Sequence, residues 1–154
     1  MSIWWSLHLR RDAASVPLAR RLLLGTMETA GVDPEISYDL SVALSEACAN
    51  AVEHGGDTAC GGGSEAFRVT AYLDGEKCRI EVTDEGPGFP AGAPGRSRPP
   101  ARPAPVDAEH GRGLCLIQEL ADHVRIDNKP GRGGAVVSFD KILKWREGAP
   151  LATV

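Results

Sequence analysis

The chain has 154 residues, the size of one ordinary domain, which leaves little room for a second folded unit. Lys and Arg total 17 against 21 Asp and Glu, a formal charge of −4, which argues against direct nucleic-acid binding through a general basic surface. Hydrophobic residues at 42% and charged residues at 25% exclude a disordered chain, and no stretch approaches the ~20 apolar residues of a membrane span, so a cytoplasmic protein without membrane contact is expected.

Residues 3–10 alternate apolar and polar, Ile3, Trp5, Leu7 and Leu9 against Trp4, Ser6, His8 and Arg10, the period of a strand with one buried face. Asp12 then stands as an N-cap before a helix over 13–30, in which Val16, Leu18, Leu22, Leu23 and Met27 recur near helical spacing and Gly31 supplies the stop. Asp33-Pro34-Glu35 starts a second, longer helix that runs to Gly55-Gly56. Residues 55–64 hold five glycines and read as a loop. Strands over 67–73 and 78–83 follow, joined across Asp74-Gly75 as a hairpin.

From 86 to 106 the character changes, because seven of the 11 prolines fall there together with Arg96, Arg98 and Arg102 and no acidic residue. Such a stretch excludes a helix or a central strand. Within a compact domain it signals either a functional lid or disorder. A short helix over 114–123, with Leu116, Ile117 and Leu120 on one face, and two strands over 124–127 and 135–139 complete the chain. The order strand, helix, helix, strand, strand, helix, strand, strand predicts an α+β fold, with helices on one face of a mixed, mostly antiparallel sheet. With three Trp, two Tyr and three Phe, its core is expected to be aliphatic.

Three constellations could carry chemistry. On the second helix Glu46, Asn50 and His54 are spaced by four and share a face. A carboxylate one turn from an amide oxygen can set a proton acceptor beside a magnesium ion, although the same spacing also describes a plain polar stripe. Next, the strand ending Val82-Thr83-Asp84 runs into Gly86 and Gly88. An acid there can accept a hydrogen bond from an exocyclic amine such as that of adenine, and the glycines let backbone approach a flat ring, unless the segment is only a tight turn. Last, Gly111-Arg112-Gly113-Leu114 stands directly before the short helix, where free N–H groups and the positive end of the dipole suit phosphate. The four cysteines show no Cys-x-x-Cys pair, and Cys48, His54 and Cys60 do not have zinc spacing, so reduced thiols and no structural metal are expected.

Glu-x-x-x-Asn, then Asp-x-Gly-x-Gly-Phe, then Gly-x-Gly-Leu in this order resembles the GHKL ATP-binding family. The short build and the run Glu46-Ala47 to Asn50-Ala51, then His54-Gly55, are similar to its bacterial anti-sigma-factor serine kinases. The resemblance covers roughly 3–141 and implies a single Bergerat-type ATP-binding domain over 1–154, a two-layer α/β sandwich. It implies Glu46 as general base, Asn50 as magnesium ligand, Asp84 as the adenine-binding acid and Gly86 and Gly88 beside the base. Gly111, Arg112, Gly113 and Leu114 would lie at the phosphates, with a Pro/Arg-rich ATP lid at about 86–110. The cofactors implied are ATP and magnesium.

The function implied is a protein-serine kinase that sequesters a sigma factor and phosphorylates an anti-anti-sigma antagonist; members are commonly homodimers. Two positions depart from the pattern. Gly133-Gly134 is followed by Ala135 where threonine is frequent, and Glu109 stands where some of these kinases place an arginine for the γ-phosphate. Those departures leave open a non-catalytic module in which nucleotide only gates partner binding. A detached ATP-binding half of a histidine kinase fits less well, since His8 and His123 have poor contexts for phosphoacceptors.

Overall fold

The computed structural model describes residues 2–54, 66–84, 108–128 and 135–149. The elements run β1 (Ile3–Arg10), α1 (Ser15–Ala30), α2 (Pro34–His54), β2 (Ala66–Leu73), β3 (Lys77–Asp84), α3 (Ala108–Leu120), β4 (His123–Asn128) and β5 (Ala135–Ile142). The strands form one sheet in the order β1-β2-β3-β5-β4. Every pairing among the described strands is antiparallel, so the sheet carries none of the parallel pairing that a mixed sheet would include.

The sheet is two-faced because its strands alternate. Phe67, Val69, Ala71 and Leu73 of β2 and Cys78, Ile80 and Val82 of β3 are buried, while Arg68, Tyr72, Lys77 and Arg79 between them are exposed. The register keeps the apolar set on one face: Leu9 lies opposite Phe67, Val69 opposite Val82, Ile80 opposite Phe139, and Ile126 opposite Val137. The helices cover this face, making the expected two-layer α+β sandwich. Its core is largely aliphatic, with Leu23, Leu40, Leu44 and Ile117 fully buried, but Phe67 and Phe139 are also among its largest members. Aromatic content alone could not tell that two of three phenylalanines face inward.

Local chemistry sets the helix ends. Asp33 Oδ1 accepts the Glu35 N–H at 2.8 Å, capping α2 ahead of Pro34. Gly31, at φ 89°, ends α1 in the left-handed region, and the Val32 N–H reaches back to the Met27 carbonyl at 3.0 Å. Asp12 does not cap α1 as its type suggests: the residue at that position is Ala14, and Asp12 Oδ1 instead accepts the Ala14 N–H at 3.0 Å, closing a turn before the helix. In the β2–β3 hairpin the Asp74 N–H meets the Lys77 carbonyl at 3.1 Å, so Gly75 and Glu76 are the central pair, one residue past the expected position. No positive φ occurs there, and Asp74 Oδ1 holds the turn by accepting the Glu76 and Lys77 N–H groups at 2.7 and 2.9 Å.

α3 departs most from expectation. It begins at Ala108 rather than after Gly113 and ends at Leu120, because His123 already belongs to β4. Ala108 and Glu109 favour a helix, and a glycine in one costs only about 1 kcal/mol against alanine. No helix among the described residues is long and apolar enough to cross a membrane.

Candidate functional site

One end of the sheet gathers the chemistry. Arg10, at the end of β1, lies opposite Ala66; Phe67 lies opposite Asp84, the last residue of β3; and Ala135, the first of β5, lies opposite Asn128. α2 begins at the other end, where the Asp33 N–H donates to the Lys144 carbonyl at 2.8 Å. It finishes at the Arg10 end, where Arg11 Nη1 donates to the Val52 carbonyl at 2.9 Å. α3 finishes at the far end, its Leu120 carbonyl accepting from Lys141 Nζ at 2.7 Å. Packed along α2, its N-terminus therefore points back to the end that holds Asp84 and the last turns of α2.

Asp84 is 7% exposed, and its Oδ1 accepts the Ala135 N–H at 3.1 Å. A buried carboxylate needs such partners, since desolvation without them costs several kcal/mol. The bond ties the end of β3 to the start of β5, where no side-chain hydroxyl is available from residue 135. Glu46 and Asn50 are both half-buried, one turn apart on α2. The residues beside them, Ala47, Cys48 and Ala51, are buried, which fixes the rotation of the helix and leaves Glu46 and Asn50 at the margin of the core.

Gly111, Arg112 and Gly113 lie inside the first two turns of α3, not ahead of it. In a regular helix only the N–H groups of the N-cap and the first three helical residues lack partners, so Gly111, the fourth residue of α3, and Gly113 both fall just beyond the free donors. Leu114 is half-buried against the core. Gly86, Gly88, the expected lid of about 86–110 as far as residue 107, and the Gly133-Gly134 pair lie outside the described residues, while residues 108–110 of that lid are helical, the first turn of α3. So does Cys60; Cys48 and Cys78 are free and buried, and Cys115 is free and half-buried. Burial pushes the Cys48 and Cys78 thiols up to about 12, for Cys78 with added repulsion from Asp74 and Asp140. These thiols are core atoms rather than nucleophiles.

The donor set suits a nucleotide with a hard cation. Among the described residues no group of three or more His, Cys, Asp or Glu is arranged to hold a metal by itself. Magnesium is content with one or two protein oxygens when phosphates and water supply the rest, which is what Asn50 beside Glu46 offers. Sequence reasoning missed two groups that make hydrogen bonds at this end of the sheet, the backbone of Ala135 and the Arg11 guanidinium. A main-chain donor leaves no mark in a sequence, and the Arg10-Arg11 pair looks like any charged strand end.

Comparisons with known proteins show the family and the fold of the chain. The model of the histidine kinase-like ATPase domain matches residues 9–141. Serine-protein kinase RsbW of Bacillus subtilis (strain 168) is 33% identical over 131 residues, 83% of this chain and 78% of the relative. An anti-sigma F factor of Thermoanaerobacter pseudethanolicus is 30% identical over 110 residues, 70% of this chain and 73% of its own. The crystal structure of the RsbU and RsbW domains of Rv1364c from Mycobacterium tuberculosis aligns with a TM-score of 0.65 at 22% identity. That alignment covers 93% of this chain, which spans about a third (33%) of the solved one, and it shows a shared fold. The chain thus belongs to the histidine kinase-like ATPase, or GHKL, family and to its anti-sigma-factor serine kinase type.

Proposed function

We propose that this chain is an ATP- and magnesium-dependent protein-serine kinase and anti-sigma factor. In this reading it sequesters a sigma factor and phosphorylates a serine of an anti-anti-sigma antagonist. It works in the cytoplasm as a single ATP-binding domain, as a homodimer, without direct contact with nucleic acid or membrane. The observation that carries the reading is Asp84, a buried carboxylate fixed by the Ala135 N–H at the sheet end where α2 brings Asn50 and Glu46. Relatives named serine-protein kinase and anti-sigma factor, at about this chain's own length, support it.

Each residue then has a task. Asp84 accepts a hydrogen bond from the adenine amine and so orients the base. The Asn50 side-chain oxygen holds magnesium, which when bound neutralises phosphate charge. The N-terminus of α3 faces the phosphates with the positive end of its dipole, and Gly111 and Gly113 in its first two turns leave room there for the phosphates to approach. Glu46 takes the proton of the attacking serine hydroxyl as its oxygen bonds the γ-phosphorus and the bond from that phosphorus to the β,γ-bridging oxygen breaks, releasing ADP, so catalysis is positioning and charge neutralisation.

A second reading, nucleotide-gated binding without transfer, is favoured by one observation: Glu109 places an acid in the first turn of α3, at the end where phosphates would dock. Incubating the chain with γ-labelled ATP and an extract of its host separates the two. Label on a serine of a small co-purifying protein supports the kinase, and nucleotide-dependent capture without label supports the gated module.

A further inference from the structure

The last turn of α2 is weakly specified by its own sequence. Asn50, Val52 and His54 are poor helix formers, and Gly55-Gly56 follows. The final four carbonyls of the helix, from Ala51 to His54, have no partner within it. One of them is satisfied from outside, because Arg11 Nη1 donates to the Val52 carbonyl at 2.9 Å from 41 residues away. Arg11 is itself carried by a hydrogen-bonded corner: the Arg10 carbonyl accepts the Asp12 N–H at 2.8 Å and the Ser15 hydroxyl at 2.7 Å, and the Asp12 carbonyl accepts the Ser15 N–H at 2.9 Å. A cation at a helix C-terminus also opposes the negative end of the dipole.

We infer that Arg11 is a positioning residue for the nucleotide site: by capping Val52 it keeps the turn that contains Asn50 helical and so keeps Asn50 in reach of the magnesium–nucleotide complex. The inference rests on the proposed reading of Asn50. Arg11 touches neither nucleotide nor metal in this account. Its effect is on the metal-dependent part of affinity, because Asp84 and the adenine site stand on β3, which the cap does not touch.

The test uses the full chain and ADP, titrated calorimetrically across magnesium concentrations and in EDTA, with amide exchange of residues 51–54 followed in parallel. Arg11→Ala should raise the magnesium needed for half-maximal tightening about three- to tenfold, the worth of one charge-assisted cap, and speed exchange in the last turn of α2. Its ADP affinity in EDTA should stay within about twofold of wild type, since that interaction does not use Asn50. Arg11→Lys, which keeps a cation and a donor, should recover most of the loss; a lysine variant as impaired as the alanine one would overturn the capping account. Arg11→Met keeps the apolar stem and carries the same comparison should the alanine variant not fold. Unchanged magnesium dependence and exchange in these variants, with wild type responding normally to magnesium, would overturn the role of Arg11 alone. A wild type that ignores magnesium, or an Asn50→Ala variant that matches it, would defeat the reading of Asn50 and the inference with it.

Discussion

The Ala135 N–H donates to Asp84 Oδ1 at 3.1 Å across 51 residues of sequence, inside the protein. This places two demands on one side chain: it must accept a main-chain hydrogen bond that joins β3 to β5, and in the proposed function it must also accept one from adenine.

Asp84→Asn and Asp84→Ala separate those demands. The amide oxygen of asparagine can still accept from Ala135, so the fold should be spared while the new NH₂ faces the adenine amine. Adenine-nucleotide affinity should then fall about tenfold or more, the worth of a hydrogen bond to a charged group. Alanine leaves the buried Ala135 N–H without that acceptor and should lower stability by about 1–3 kcal/mol as well. Calorimetry with ATP, ADP and GTP, alongside urea unfolding, reads both effects. Equal binding of ATP and GTP would contradict the assignment of Asp84.

Cys48 and Cys78 should resist thiol reagents in the native state. Burial pushes both thiols up to about 12, so the reactive thiolate is scarce at pH 7, and burial blocks access besides. Labelling followed by peptide mapping should find both unmodified until denaturant unfolds the chain, and modified together beyond the transition.

Asp74 gives a pH signature to the β2–β3 hairpin. Hydrogen bonds from the Lys77 and Glu76 N–H groups hold its carboxyl below the ordinary value of 3.8. A lowered native pKa means the unfolded chain takes up the proton first, so the stabilisation is present above the ordinary value and is lost as pH falls through the native one. The residue is only partly buried at a hairpin turn, so water screens the gain to about 0.5 kcal/mol. Asp74→Ala should therefore cost about that much in urea unfolding at neutral pH, with the difference from wild type shrinking towards zero in acid. A constant difference at every pH would contradict this role.

The outer strands were legible because they repeat with period two and one face is buried; the pattern Ile3, Trp5, Leu7, Leu9 reads directly as the half-buried face of β1, whereas β3 ends on Val82, Thr83 and Asp84 all buried and β5 buries Val137, Ser138 and Phe139 in succession. α1 was harder. Leu18, Leu22, Leu23 and Leu24 offer more than one apolar stripe, and the structure buries Leu23 with Ala19 and Met27 while leaving Leu18 and Leu22 exposed. Leucine marks the stripe no better than alanine when the neighbouring helix approaches closely. The start of α3 was hidden by its glycines, which signal a loop in sequence but cost little in an opening turn. The Asp84 and Glu46–Asn50 pairs were visible as residue types. That Asp84 and the last turns of α2 lie at one end follows only from antiparallel register and from long-range bonds such as Arg11 to Val52, which no local pattern contains.

The central claim is that the Glu46–Asn50 turn performs phosphoryl transfer rather than nucleotide sensing alone. Glu46→Gln removes the base but preserves shape and the neighbouring amide, so it should bind ATP within about threefold of wild type while transferring phosphate about 10²–10⁴ times more slowly. The measurement is single-turnover transfer of the γ-phosphoryl group from ATP to the serine-bearing partner captured from host extract, wild type against Glu46→Gln at saturating ATP. A loss of that size with nucleotide affinity retained is the predicted result. Equal rates in the two proteins, or no transfer by the wild type to any partner it binds, would contradict it.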